Sequence, residues 1–141
     1  MEMKLFYTGE VNAMAANDVR LAEEFIQGCE YTVIATNNKQ TGARLSTVSN
    51  LPAQTMNALY FATDTESQKV KNIEENPSCE ILYTDGNGQV ILTGKVKVLI
   101  DLETKRAKWQ DWMIHHCPEG VESEGLCILK FETSAVKAML M

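Results

Sequence analysis

The 141-residue sequence lacks several patterns that mark common classes of protein. It contains no G-x-G-x-x-G or P-loop segment, which argues against a Rossmann or P-loop nucleotide site. No apolar run approaches the roughly twenty residues that a membrane-spanning helix needs, and the first residues do not resemble a signal peptide. We therefore expect a cytoplasmic protein with no membrane partner.

The sequence also lacks the spacing of a metal site. Its two histidines, His115 and His116, are adjacent, so on a helix their side chains point in different directions. Cysteines without C-x-x-C spacing in a cytoplasmic chain are expected to be buried free thiols, neither disulfide-bonded nor metal-bound. The four cysteines are Cys29, Cys79, Cys117 and Cys127.

Basic side chains are in the minority, with 13 lysines and arginines against 19 acidic residues and a net charge of −6. This balance argues against a general nucleic-acid-binding protein, which needs a basic footprint. An anionic ligand would therefore need a local basic group. The composition, 45% hydrophobic and 23% charged, is typical of a globular protein, and the length predicts a single domain over residues 1–141.

The segment from Leu59 to Pro77 organises the rest of the chain. Residues 58–62 form an apolar, aromatic-rich run that predicts a short strand. A turn leads into a helix whose first turn carries Ser67 and Lys69 and which Pro77 ends. Because a helix N-terminus exposes backbone N–H groups, the added hydroxyl and ammonium make a plausible phosphate site. A helix cap and a solvated lysine would give the same pattern.

The remaining periodicity predicts strands separated by turns, with helices between some of them. Residues 1–16 suggest an irregular start, and Gly94 suggests a bulge or bend in a long strand. Strands joined largely by turns indicate a mainly β protein, an antiparallel barrel or sheet of about six strands with three helices. The other predicted elements are a helix from Asn17 to Gly28, strands over 31–36, 44–49, 79–84, 89–100 and 126–132, an edge segment over 135–141, and a helix from Asp101 to Pro118 that carries Trp109, Trp112, Met113 and His116 as a packing stripe.

Four segments, in this order, resemble the pyridoxamine 5'-phosphate oxidase family of FMN-binding split β-barrels. They are Arg44-Leu45-Ser46-Thr47-Val48-Ser49, Phe61-Ala62-Thr63 with Ser67-Gln68-Lys69, Ile73-Glu74-Glu75-Asn76-Pro77, and Gln89-Val90 with Gly94. The resemblance covers residues 31–100 closely. It implies an antiparallel split β-barrel with FMN at a homodimer interface.

The same resemblance implies which residues would contact FMN. Arg44 and Lys69 would hold the phosphate, and Ser67 or a backbone N–H would complete its site. A planar guanidinium and an ammonium are suitable donors for a phosphate dianion. The residues expected along the ring system are Ser46, Thr47, Val48 and Thr63, with Gln89 donating to its polar edge.

The sequence departs from the family pattern at three places. Gln68 stands in place of an arginine, which removes a charge-assisted hydrogen bond worth about 1.5–3 kcal/mol. Ala62 stands in place of a tyrosine. The chain reaches Met141 without the Arg-Leu segment that completes the substrate pocket of true oxidases. We therefore do not expect pyridoxamine 5'-phosphate oxidation, and the sequence looks more like the short general-stress-protein branch.

The resulting functional prediction is a flavin-dependent oxidoreductase acting on an undefined small molecule, with no catalytic side chain assigned. One alternative is a flavin-binding stress or sensor protein without turnover. Another is a pocket that holds haem or a deazaflavin, and haem would require His115 or His116.

Overall fold

The computed structural model describes residues 3–52 and 54–141. Its strands are β1 (Leu5–Glu10), β2 (Tyr31–Asn38), β3 (Gly42–Asn50), β4 (Ala58–Asp64), β5 (Ser78–Thr84), β6 (Gly88–Leu99) and β7 (Leu126–Leu140). Its α-helices are α1 (Ala16–Gly28), α2 (Gln68–Glu75) and α3 (Leu102–Lys108). Three 3₁₀ turns lie at Val11–Ala13, Asp111–His115 and Gly120–Glu122.

Six strands close into an antiparallel barrel in the order β7-β4-β3-β2-β5-β6, and β6 pairs again with β7. The seventh strand, β1, pairs with the second half of β7 outside this ring. The prediction of a mainly β antiparallel barrel with three helices is therefore confirmed. No α-helix in the described ranges is both long and apolar enough to cross a membrane.

The irregular start predicted for residues 1–16 is wrong over Leu5–Glu10, which form β1. This short segment becomes a strand because its backbone pairs with residues 135–140 of β7, a partner that local sequence does not reveal. Met1 and Glu2 lie outside the described residues. Helix α1 then begins at Ala16, close to the predicted Asn17, and ends with Gly28 as expected.

Strand β7 is one continuous strand of 15 residues, not the predicted strand and separate edge segment. It contacts β4, β6 and β1, so its second half is internal to the sheet. Ser134 is an extra residue opposite the Thr93–Gly94 step of β6, and its hydroxyl donates to the Thr93 carbonyl at 3.0 Å. This bulge shifts the buried positions by one, which explains why the sequence pattern looks interrupted.

The barrel interior holds the main core, and α1 and α2 add side chains to it. Residues of β2 and β3 alternate accordingly, with Ile34 and Val48 buried and Leu45 exposed. A smaller apolar cluster lies on the outer face of β4 and β7, where Met113 packs with Leu51, Leu126 and Ile128.

The helix predicted from Asp101 to Pro118 is shorter than expected. α3 ends at Lys108, Trp109 and Gln110 are extended, and a 3₁₀ turn follows. The predicted stripe is therefore divided: Met113 is buried, whereas Trp112 remains 41% exposed. The four cysteines are free, as predicted, and three are buried while Cys117 is half-buried.

Candidate functional site

The barrel wall is open between β3 and β4. These strands pair only through Ser49 with Ala62 and Asn50 with Phe61, so the β3 edge over residues 42–48 has no β4 partner. Unpaired backbone N–H and C=O groups on such an edge are available to a ligand. The opening therefore offers a flat polar edge in an otherwise closed sheet.

A cleft of about 390 Å³ lies beside this opening. Its volume falls within the range of small-molecule sites. One wall of the cleft comes from β3 and β4 and contains Thr47, Val48, Ser49, Ala62, Thr63 and Asp64. The opposite wall, called the facing wall below, contains Trp112, Met113, His116, Cys117, Ser123, Gly125 and Leu126.

Lys69 adjoins the cleft from the first turn of α2. Its Nζ donates to the Thr63 hydroxyl at 2.9 Å, and within the described ranges it makes no ion pair. Burial lowers the pKa of the Lys69 ammonium, against smaller opposite effects of Cys127 and Asp64. An anion beside Lys69 would compensate this burial. Ser67 caps the same helix, its hydroxyl accepting from the Val70 N–H at 3.4 Å.

Arg44 lies on the barrel face that α2 covers. It is directly opposite Thr36 in the β2–β3 ladder, and opposite residues share a face. The Thr36 hydroxyl accepts from Asn72 of α2 at 3.0 Å. The Arg44 side chain is exposed, and its Nε donates to the Thr41 hydroxyl at 3.0 Å. Arg44 and Lys69 are therefore on the same side of the barrel, and their recorded hydrogen bonds in the described part of the chain go to other residues.

The other predicted contact residues of this region differ in their surroundings. Thr47, Val48 and Thr63 line the cleft. The Ser46 hydroxyl is buried and has no hydrogen-bond partner among the described residues, an arrangement that is unfavourable unless another group completes it. Gln68 is engaged along its own helix, where its amide donates to the Asn72 side chain at 2.9 Å.

Gln89 lies apart from these residues within one chain. It pairs with Met139 of β7, whereas Thr63 pairs with Cys127, twelve residues earlier in that strand. Twelve residues correspond to about 40 Å of strand. The structure therefore does not bring Gln89 to the cleft of its own subunit.

Apart from His116, which the haem alternative named, the facing wall contains residues that the sequence did not mark as ligand contacts. The rings of Trp112 and His116 meet edge to face, with 6.2 Å between centroids, whereas His115 does not line the cleft. The predicted helical stripe contained Trp112 and His116 but placed them in packing. Ser123 and Gly125 belong to a loop with no distinctive sequence signal.

Solved structures share this fold at low sequence identity. A protein related to general stress protein 26 from Clostridium acetobutylicum has a TM-score of 0.80 and 16% identity, over 89% of this chain and 89% of that chain. General stress protein 26 from Bacillus anthracis has a TM-score of 0.71 and 19% identity, over 83% and 89%. A pyridoxamine 5'-phosphate oxidase-related, FMN-binding protein from Nostoc punctiforme has a TM-score of 0.72 and 19% identity, over 89% and 84%.

The sequence itself gives a family match. No curated protein matches it significantly. The sequence pattern of the family described as "Pyridoxamine 5'-phosphate oxidase like" matches residues 17–138. This range includes β2 to β6 and all of β7 except its last two residues. The chain therefore belongs to the pyridoxamine 5'-phosphate oxidase-like family.

Proposed function

We propose that the protein binds FMN, with the phosphate beside Lys69 and the ring system in the cleft along β3. The observation that carries this proposal is the half-buried Lys69 ammonium, which has no ion pair within the described ranges and adjoins an unpaired strand edge. The family match supports it, as does the likeness to a structure described as FMN-binding.

The residues around the cleft fit the chemistry of FMN. Lys69 and Arg44 are cations on one side of the barrel, and the N-terminus of α2 adds backbone donors next to Ser67. The β3 edge supplies backbone groups for the polar rim of a flat ring system. The unpartnered Ser46 hydroxyl lies on the same face of β3 as Arg44 and would gain a partner from a ligand on that face.

We further propose a flavin-dependent oxidoreductase that acts on a small molecule. Bound FMN would supply hydride or electron transfer, while the chain supplies position, charge and exclusion of water. No side chain is assigned as a general acid or base. Reduction of the FMN complex by NADH or NADPH without oxygen would support this activity, and a complex that neither reduces would favour the non-catalytic alternative.

A homodimer would complete the proposed site. The outward-facing residues of β2, β5, β6 and the second half of β7 are exposed or half-buried in one chain. Gln89 lies on this face, so a second copy packed against it would bring the partner subunit's Gln89 towards the cleft. Apolar side chains on the face include Phe6, Val33, Leu45, Leu82, Ile91 and Met139.

The experiment that tests FMN binding is a visible absorption spectrum of the purified protein during titration with FMN, followed by light scattering of the complex. We expect a flavin spectrum that saturates at one FMN per chain and a mass of two 15.8 kDa chains. A colourless protein that ignores FMN would refute the proposal. Saturable FMN binding by a protein with the mass of one chain would support FMN as the cofactor and refute the homodimer.

FMN affinity is expected to depend on pH through Lys69. Only the protonated amine attracts phosphate, and burial lowers the pKa of Lys69. As the pH is raised, FMN affinity should therefore begin to fall at a lower pH than it would if Lys69 were exposed. The stability of the free protein should change with pH in the opposite direction to FMN affinity. Because the pKa of Lys69 is lower in the folded chain than in the unfolded chain, the free energy of unfolding rises as the pH increases from the folded pKa to the unfolded pKa. The measurement is the FMN dissociation constant across alkaline pH. The Lys69→Met variant should lack this step, and an identical profile for both proteins would contradict the assignment.

A further inference from the structure

A second lysine, Lys105, is buried beneath the facing wall of the cleft. It belongs to the last turn of α3 and is only 7% exposed. Its Nζ donates to the Ser123 carbonyl at 3.0 Å and forms no ion pair in the described part of the chain. Asp101, one helical turn earlier, is exposed, and its carboxylate accepts from the Thr104 N–H and hydroxyl. These bonds from Thr104 are the main cause of its lowered pKa, and the charge of Lys105 makes only the smallest contribution.

Such burial is unusual for a lysine. Lysine side chains normally extend their ammonium groups to water, and a buried charge is unfavourable unless it is paired. One carbonyl neutralises no charge. The other two cations of α3 are less buried, Arg106 being exposed and Lys108 half-buried, so the burial of Lys105 is specific to its position.

The position connects Lys105 with the proposed ligand site. Ser123, which holds its ammonium, lines the cleft together with Gly125 and Leu126. Burial raises the pKa of the neighbouring Cys127 thiol to about 11, and Lys105 and Lys69 both oppose this increase. Each of the two ammonium groups thus donates to a residue that lines the cleft, Lys69 to Thr63 and Lys105 to Ser123, in a protein whose net charge is −6.

We propose that Lys105 is a buried counter-charge for the anionic ligand of the cleft, only weakly compensated in the free protein by the exposed Asp101 and balanced when the ligand binds. The identification of that ligand as FMN rests on the proposed function. Lys105 would affect the ligand through its charge and through its bond to Ser123 of the facing wall. Because it does not touch the ligand, it is a positioning residue. The free protein gives up stability to keep this charge, and the complex regains it.

The test compares Lys105→Gln, which keeps a donor for the Ser123 carbonyl but removes the charge, with Lys105→Met, which removes both. We expect both variants to be at least as stable as the parent without ligand, in thermal unfolding. Both should bind FMN about tenfold more weakly or worse, because a charge in a low-dielectric site is lost. Lys105→Arg should retain most of the affinity. Arg106→Gln removes an exposed cation from the same helix, away from the cleft lining, and should change neither property.

A counter-charge predicts weaker FMN binding without a loss of stability in the free variants, whereas a structural role predicts a loss of stability. A Lys105→Gln variant that binds FMN as tightly as the parent would overturn the proposal, because the hydrogen bond would then suffice. Marked destabilisation of both free variants would also overturn it. If the parent binds no FMN, the proposed function fails instead, and thermal stabilisation by inorganic pyrophosphate decides the counter-charge: a larger shift for the parent than for Lys105→Gln supports it, and equal shifts refute it.

Discussion

Replacing Arg44 and Lys69 together with alanine is expected to abolish FMN retention while the barrel remains folded. Each residue would contribute a charge-assisted hydrogen bond to the phosphate, worth about 1.5–3 kcal/mol. Losing both corresponds to a loss of about 10²- to 10⁴-fold in affinity. The fold should persist because Arg44 is exposed and Lys69 loses only its bond to Thr63.

The measurement is the flavin absorbance that remains after gel filtration, together with the dissociation constant of added FMN. Lys71→Ala is the matched control, since Lys71 lies on the same helix but is exposed and does not line the cleft. The single variants should each show an intermediate loss. If the double variant is as yellow as the parent, the phosphate site lies elsewhere.

Replacing Gly94 with valine is expected to destabilise the protein by about 3 kcal/mol or more. A Cβ at this position would overlap the Glu132 carbonyl oxygen and approach the Phe131 ring, with 2.9 Å to its Cζ. Both neighbours belong to β7, and Gly94 adjoins the bulge that sets the β6–β7 register. Neither the backbone carbonyl nor a fully buried phenylalanine can move aside without disturbing that pairing.

Chemical denaturation followed by far-ultraviolet circular dichroism measures this loss. Gly28→Ala is the control, because a Cβ there meets nothing within 4 Å and the residue ends a helix without a left-handed backbone. Its stability should equal or slightly exceed that of the parent. A Gly94→Val variant with parental stability would mean that β6 and β7 separate more readily than their pairing indicates.

The elements that local signals specify were predictable from the sequence. The β2–β3 and β5–β6 hairpins and the β4–α2 unit fall within two residues of the predicted bounds, because turn residues, a helix cap and Pro77 mark their ends. β1 and the second half of β7 were not predictable. Their pairing depends on residues more than a hundred positions apart, and the bulge at Ser134 conceals the alternation.

The candidate site divides in the same way. Thr63 and Lys69 follow one another across a single turn, so their proximity is visible in the sequence. The distance of Gln89 from the cleft depends on the register of β6 against β7, which no local pattern records. Trp112 was assigned to packing because a single helix was expected, and His116 was assigned to the same stripe or, alternatively, to haem. The burial of Lys105 depends on the loop at Ser123.

The place of β7 in the chain has a consequence for folding during synthesis. This strand pairs with β4, β6 and β1, all of which leave the ribosome before it. Until its residues emerge, the earlier strands have open edges that other chains can pair with. Barrel closure therefore waits for β7 and depends on contacts of long sequence separation, which favours slow folding.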